Sequence, residues 1–184
     1  MGSTPTEGIL GEYMLKDLIQ EKHRQAEQMP FNQRMFRGEL SIYEYSTYLQ
    51  QLEAIFAELE KNPLPHPSLN RTAAIQQDIQ ELGYNRTIPL LETSKHYTRY
   101  LATLSATEQL PHVYLHYMAL LFGGQIMKNK IHGNGTLYQF DDAPAAIQAI
   151  RTIQQDSWAN EANRGLDYFT DILDELYDLF RLHR

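Results

Sequence analysis

Cysteine is missing from all 184 residues of the chain. That excludes a disulfide scaffold, a thiolate metal ligand and a thiol nucleophile. An excess of basic charge is missing too: 16 Lys and Arg stand against 23 Asp and Glu, for a net charge of −7. With a pI of about 5.5, this argues against a general nucleic-acid binder, which would show a basic face. No apolar run approaches the length of a membrane span, and the N-terminus lacks the apolar core of a signal peptide. The C-terminal Asp-Leu-Phe-Arg-Leu-His-Arg offers no anchor. A soluble, cytoplasmic protein without nucleic-acid or membrane partners is the expectation, and a monomer the simplest state. Strand-like alternation, internal repeats and low-complexity tracts are also lacking.

What is present is a globular composition: 42% hydrophobic residues, with 12 tyrosines. The length suits one domain with a sizeable core. Residues 1–8 are small and polar, and are expected to form a flexible N-terminus ahead of a domain spanning 9–184. A helix is predicted from Ile9 to Met29, stopped by Pro30. Phe31–Phe36 reads as a helical link broken at Gly38. Ser41–Glu60 reads as a long amphipathic helix, with Ser41 as N-cap and Glu44 in the capping-box position. The proline-rich Asn62–Ser68 is a loop in which His66 is expected to be exposed. Helices follow at Leu69–Leu82, closed by Gly83, and at Glu92–Leu104, with a loop over Asn85–Pro89 between them. The long helix Glu108–Ile131 comes next. A turn at His132–Thr136 leads to an extended piece, Leu137–Phe140. A helix from Pro144 to Trp158 and a last helix from Asn160 to Leu182 complete an all-α reading.

Two features stand out against this plain helical pattern. Gly123 and Gly124 lie side by side inside the helix built on His112–Ile131. Adjacent glycines disfavour a helix by roughly 1 kcal/mol each, which points to a kink or to something lying against bare backbone. The second feature is His23. It follows Leu15 and Ile19 at helical spacing, so it is expected on the buried side of the first helix, with Glu27 one turn further on. A carboxylate there can hydrogen-bond one ring nitrogen and leave the other to bind a metal, although a satisfied core histidine is the commoner reading of such a residue. His112 and His116 also stand one turn apart. Without clustered carboxylates or an HExxH pattern, they read as core or solvent histidines.

The segments Lys22-His-Arg-Gln-Ala-Glu-Gln, Leu69-Asn-Arg-Thr-Ala-Ala-Ile-Gln-Gln-Asp-Ile and Gly-Gly-Gln at 123–125 resemble the heme (haem) oxygenase family in order and spacing. The closing helix from Glu161 to Leu176 is similar as well, so the likeness spans about residues 12–180. The resemblance implies an all-helical, single-domain bundle that holds heme between a proximal and a distal helix. It makes His23 the axial ligand of the heme iron and Glu27 the acceptor of that histidine's hydrogen bond. It makes Gly123 and Gly124 the distal glycines over the macrocycle, and Tyr114 the distal-pocket tyrosine. Lys16 and Arg151 fall where propionate contacts are expected. The implied reaction cleaves heme, which is both cofactor and substrate, to biliverdin, CO and ferrous iron. It uses O2 and electrons from a separate reductase or ferredoxin, since no flavin or NAD fingerprint occurs here.

The distal site departs from the family pattern. A family aspartate, which anchors water for proton delivery, is replaced by Leu120; the glycine before it is Ala119, and a family arginine is His116. Leucine cannot hold a water. Tyr114, His116 or Gln125 is then the expected substitute donor if oxygenation is retained. A heme-binding carrier or sensor without ring cleavage is the alternative that Leu120 favours. A helical enzyme of the same broad fold acting on an unrelated small molecule, such as the thiaminase-like group, is a third reading that leaves His23 and the glycine pair without use.

Overall fold

The computed structural model describes the backbone of residues 6–84 and 88–182, and the side chains of 14–84 and 88–182. The helices are α1 (Thr6–Gln28), α2 (Pro30–Phe36), α3 (Ile42–Leu59), α4 (Thr72–Glu81), α5 (Glu92–Ala102), α6 (Ala106–Met127), α7 (Ala143–Ile153) and α8 (Ala159–Arg181). No strand occurs among the described residues. The backbone of α1 is already helical at Thr6, inside the stretch expected to be flexible. The expected loop at Asn85–Pro89 lies outside the described residues over 85–87.

Helix ends follow their caps. Ser105 accepts from the Glu108 amide at 3.2 Å while the Glu108 carboxylate accepts from the Ser105 amide at 3.0 Å, a reciprocal box that starts α6. The box expected at α3 is only half made. Ser41 accepts from the Glu44 amide at 3.1 Å, but the Glu44 carboxylate turns to the guanidinium of Arg34. A charged partner with two donors outcompetes one backbone amide. The helix expected from Pro144 to Trp158 breaks at Gln154, whose ψ of 145° is extended, and a separate 3-10 turn covers Asp156–Trp158. The piece expected to be extended after the 132–136 turn begins instead as a 3-10 turn, Thr136–Tyr138. His66 is half-buried rather than exposed, because its Nδ1 accepts from the Ser68 amide at 3.2 Å and caps the 3-10 turn Pro67–Leu69.

The main core joins α2, α3, α4, α5, α6 and α8 around Phe31, Tyr48, Leu52, Ile55, Leu101, Tyr117 and Leu176. A second core gathers Leu15, Ile19 and Ala26 of α1 with Leu115 of α6, Trp158, and Ala162 and Leu166 of α8. Helix α8 therefore stands between α1 and α6, and both run parallel to it. On one side Asn163 donates to the Leu18 carbonyl and Lys22 reaches Asp167 at 2.7 Å. On the other side His112 lies on Gly165 and His116 lies 5.7 Å from the Phe169 ring.

The α6–α8 crossing depends on Gly165. A Cβ there would sit 2.8 Å from Nδ1 of His112 and 3.0 Å from a methyl of Leu115. Both neighbours are buried, and the imidazole is fixed by hydrogen bonds, so neither yields cheaply. Gly165→Ala is expected to destabilise the fold by about 1–3 kcal/mol in urea unfolding, despite the better helix propensity of alanine. A variant as stable as the parent would show that the crossing relaxes freely.

Candidate functional site

Of the α1 residues, Leu15, Ile19 and Ala26 are buried in the second core, but His23 is not. His23 and Glu27 are each about half exposed, with Nδ1 of His23 3.3 Å from the Glu27 carboxylate. The expectation of a buried His23 is thus corrected. Leu15 and Ile19 pack on α8 and the Asp156–Trp158 turn, while the line through Lys16, His23 and Glu27 lies to one side of that contact. Positions seven and four apart on a helix stay within ~40° of one another, so these three share a strip. Nε2 of His23 receives no hydrogen bond from any described residue.

The matching surface on α6 is apolar. Ala119 is exposed, Phe122 is 52% exposed and Ile126 is 59% exposed. At three- and four-residue spacing they form one strip continuous with Leu115, which is buried against α1 and α8 one turn earlier. With α8 as a common ruler, the Lys22–Asp167 pair and the His116–Phe169 contact put His23 level with the part of α6 leading into this strip. Arg151, at the end of α7, brings its guanidinium to 5.8 Å from the Phe122 ring centroid. The imidazole–carboxylate pair on α1 and the apolar strip on α6 thus belong to the two helices that flank α8 and meet in the second core. Exposed large apolar side chains beside convergent polar groups mark a ligand groove.

The glycine pair has a close neighbour that the sequence did not reveal. A Cβ on Gly123 would lie 3.3 Å from the Tyr138 ring, and one on Gly124 would lie 3.2 Å from the Tyr138 Cβ. Tyr138 is held there from behind. The Asp78 carboxylate accepts from the amides of Thr136 and Leu137 at 2.8 and 2.9 Å. The buried Arg71 guanidinium donates to the carbonyls of Leu137 and Gln139 at 3.1 and 2.7 Å. Bare backbone at 123–124 therefore admits Tyr138 on the core side of α6, and Gly123 also borders the open strip. The signal for close approach was legible; its occupant, fifteen residues away by Gly123, was not.

The remaining predicted residues do not join these two surfaces. Leu120 is buried in the main core. Tyr114 packs half-buried against Trp158, ring centroids 6.3 Å apart. His116 turns inward and is only 6% exposed. There it meets a polar chain missed in sequence: the Tyr97 hydroxyl lies 2.7 Å from Nε2 of His116 and 2.7 Å from Nδ1 of His112. Nε2 of His112 lies 2.9 Å from the Glu161 carboxylate, which also accepts from the Tyr100 hydroxyl. Two imidazoles sharing one hydroxyl make a hydrogen-bonded chain, not a pair of metal ligands.

Burial sets the electrostatics of this chain. Desolvation, reinforced by His112, pushes His116 down to about 3. Desolvation also lowers His112, against the opposing pull of Glu161. For Glu161, burial works upward, but hydrogen bonds from Tyr100 and His112 and the charge of Arg164 outweigh it and hold the carboxyl below its usual range. Both histidines are therefore neutral and Glu161 is ionised near pH 7.

Comparison with known proteins bears on the family and the fold. The family model for heme oxygenase matches residues 12–175.

The chain belongs to the heme oxygenase family.

It is 28% identical over 133 residues to heme oxygenase 1 of Gallus gallus, covering 62% of this chain and 45% of that one. It is 29% identical over 132 residues to heme oxygenase 1 of Bos taurus, covering 62% and 46%. The chain thus spans about half the length of the relatives it matches. Among solved structures it superposes on heme oxygenase-1 from Synechocystis sp. PCC6803 in complex with heme with a TM-score of 0.76, at 21% identity, covering 92% of this chain and 95% of that one. Heme oxygenase from Leptospira interrogans gives a TM-score of 0.75 at 23% identity, covering 89% and 98%. The heme oxygenase fold expected from sequence is the fold observed.

The depressed His116 predicts how stability depends on pH. Between its folded value of about 3 and its ordinary 6.5, the unfolded chain binds a proton that the folded chain does not. Stability is then fully present above pH 6.5 and is lost as pH falls. Urea unfolding should show a loss of about 2 kcal/mol from this group between pH 7.5 and 5. His116→Asn should flatten that slope. An unchanged slope would mean that His116 protonates in place.

Proposed function

We propose that this member of the heme oxygenase family cleaves heme to biliverdin, CO and ferrous iron, with O2 and electrons from a separate reductase or ferredoxin. The observation that carries this reading is the half-exposed His23–Glu27 pair on α1 together with the exposed Ala119–Phe122–Ile126 strip on α6, the two helices that flank α8. The donor set fits heme. Glu27 beside Nδ1 selects the Nδ1–H tautomer of His23 and leaves Nε2 as the nitrogen available to iron. A flat apolar macrocycle would cover Phe122 and Ile126, which are otherwise exposed to water. Lys16 on the α1 strip and Arg151 beside Phe122 would neutralise the two carboxylates of the ligand's edge.

Heme, when bound, supplies the iron and the ring at which oxygen is activated and is itself consumed. The chain's part is to ligate, to orient the ring edge between α1 and α6, and to keep bulk water from the distal side. Ala119, Phe122 and Ile126 give that side an apolar lining. Among the described residues no helix is long and apolar enough to cross a membrane, which agrees with the proposed cytoplasmic setting. A monomer is sufficient for the proposed activity, because both surfaces come from one chain.

The second reading, a heme carrier or sensor without ring cleavage, is favoured by Leu120, which offers no hydrogen bond to oxygen or water. A single turnover separates the two. The protein is loaded with one equivalent of hemin and supplied with a ferredoxin system and catalase. Loss of the Soret band with biliverdin in the product marks the oxygenase. A stable complex from which hemin is recovered intact marks the carrier. His23→Ala is expected to weaken hemin binding by at least about ten-fold and to alter the Soret spectrum. Parental affinity and spectrum in that variant would remove His23 as ligand.

A further inference from the structure

Three tyrosines are fully buried in the core, and one of them differs from the other two in its hydroxyl. Tyr45 and Tyr117 are 1% and 0% exposed, and among the described residues nothing hydrogen-bonds their hydroxyls. Tyr97 is 0% exposed as well, yet its hydroxyl lies 2.7 Å from Nδ1 of His112 and 2.7 Å from Nε2 of His116. The Glu161 carboxylate can only accept, so Nε2 of His112, 2.9 Å away, carries that ring's proton. Nδ1 of the neutral His112 is then bare and accepts from Tyr97. The acceptor cannot swing away, because its ring lies on Gly165.

Tyr97 is also the inner end of a stack of rings. Its ring centroid is 4.9 Å from that of Tyr168, with 14° between the planes. Tyr168 in turn lies 5.2 Å from Tyr100, with 26° between the planes. Such offset contacts between near-parallel rings are favourable in themselves, and they overlap the π-systems through which a single electron moves. Tyr168 and Tyr100 are half-buried, so the stack runs from the core to the surface. At its outer end the Arg164 guanidinium donates to the Tyr100 hydroxyl at 2.8 Å, and that cation opposes a positive hole on Tyr100. Of the three stacked rings, Tyr97 is the one with an imidazole hydrogen-bonded to its hydroxyl.

We propose that Tyr97 is a redox-active tyrosine, which gives its electron through Tyr168 and Tyr100 to a one-electron oxidant of the peroxide-derived radical class and its proton to His112. The oxidant takes one electron from Tyr100, Tyr100 takes one from Tyr168, and Tyr168 takes one from Tyr97. An oxidised phenol is a strong acid, so the O–H proton crosses to Nδ1 of His112. The products are the reduced oxidant, a neutral phenoxyl radical and an imidazolium paired with Glu161. A reductant of the enediol class, such as ascorbate, returns one electron by the same path, and the proton goes back from His112 to Tyr97. Tyr45 and Tyr117 have no base to take a proton, so a hole on either would remain a buried positive charge. The step needs no heme and is independent of the oxygenase reading.

The test uses the heme-free chain. A flash-oxidised ruthenium polypyridyl complex with a cobalt(III) quencher supplies the one-electron oxidant, and freeze-quench EPR follows the protein. A neutral tyrosyl signal should form and outlast that of free tyrosine. Tyr97→Phe, which keeps the ring in the stack, should lose this persistent signal, whereas Tyr45→Phe should keep it. Tyr168→Leu should slow both its appearance and its quenching by ascorbate; unchanged rates overturn the path through the stack. A parent without a persistent tyrosyl signal, or a Tyr97→Phe variant with the parental signal, overturns the proposal. A second measurement decides the matter if Tyr97→Phe fails to fold. Pulsed ENDOR on the parent with 15N-labelled histidine should find the phenoxyl oxygen hydrogen-bonded by two imidazoles. A persistent radical without imidazole partners overturns the proposal.

Discussion

The structure depends on the approach of α6 to α8 at Gly165, where an imidazole and a leucine methyl occupy the space of a missing side chain. Both surfaces follow from that approach. It brings His112 within reach of Glu161, packs Leu115 into the second core beside Leu15 and Ile19, and sets how far α6 stands from α1. Because α1 and α6 lean on opposite sides of the same helix, the two surfaces are framed by packing rather than by loops. Sites on packed helices hold their geometry better than sites on connecting segments.

Most of the helical plan was legible because its signals are local. Ser41, Pro30 and Gly83 act on their own turns, and the apolar spacing of Leu166, Ile172, Leu173, Leu176 and Phe180 gives the buried stripe of α8 directly. His23 shows where this reasoning stops. Periodicity places it beside buried Ile19 and Ala26, but burial depends on what stands opposite, and its side chain is half exposed. The break at Gln154 escaped notice because neither proline nor glycine marks it. The Glu44 side chain fitted a local rule yet answered to Arg34, ten residues upstream in sequence.

The deeper misses are long-range. Glu161 and His112 are 49 residues apart, and Asp78 caps a turn 58 residues away; no spacing rule connects them. Gly123–Gly124 announced a close approach without naming Tyr138. His116, read as a histidine on a helix surface or in a core, lies in the core, where its Nε2 meets the Tyr97 hydroxyl. It ends a chain whose other end reaches the surface at Glu161.

The open apolar strip has a consequence for the lifetime of the protein itself. Phe122 and Ile126 show more than half of their surface to water, so the chain without a ligand carries an adhesive face. Covering it stabilises the folded state by mass action and withdraws the face from other chains. Abundance would then track supply: a cell poor in the ligand would hold fewer intact copies through faster turnover, with no need for a dedicated regulator.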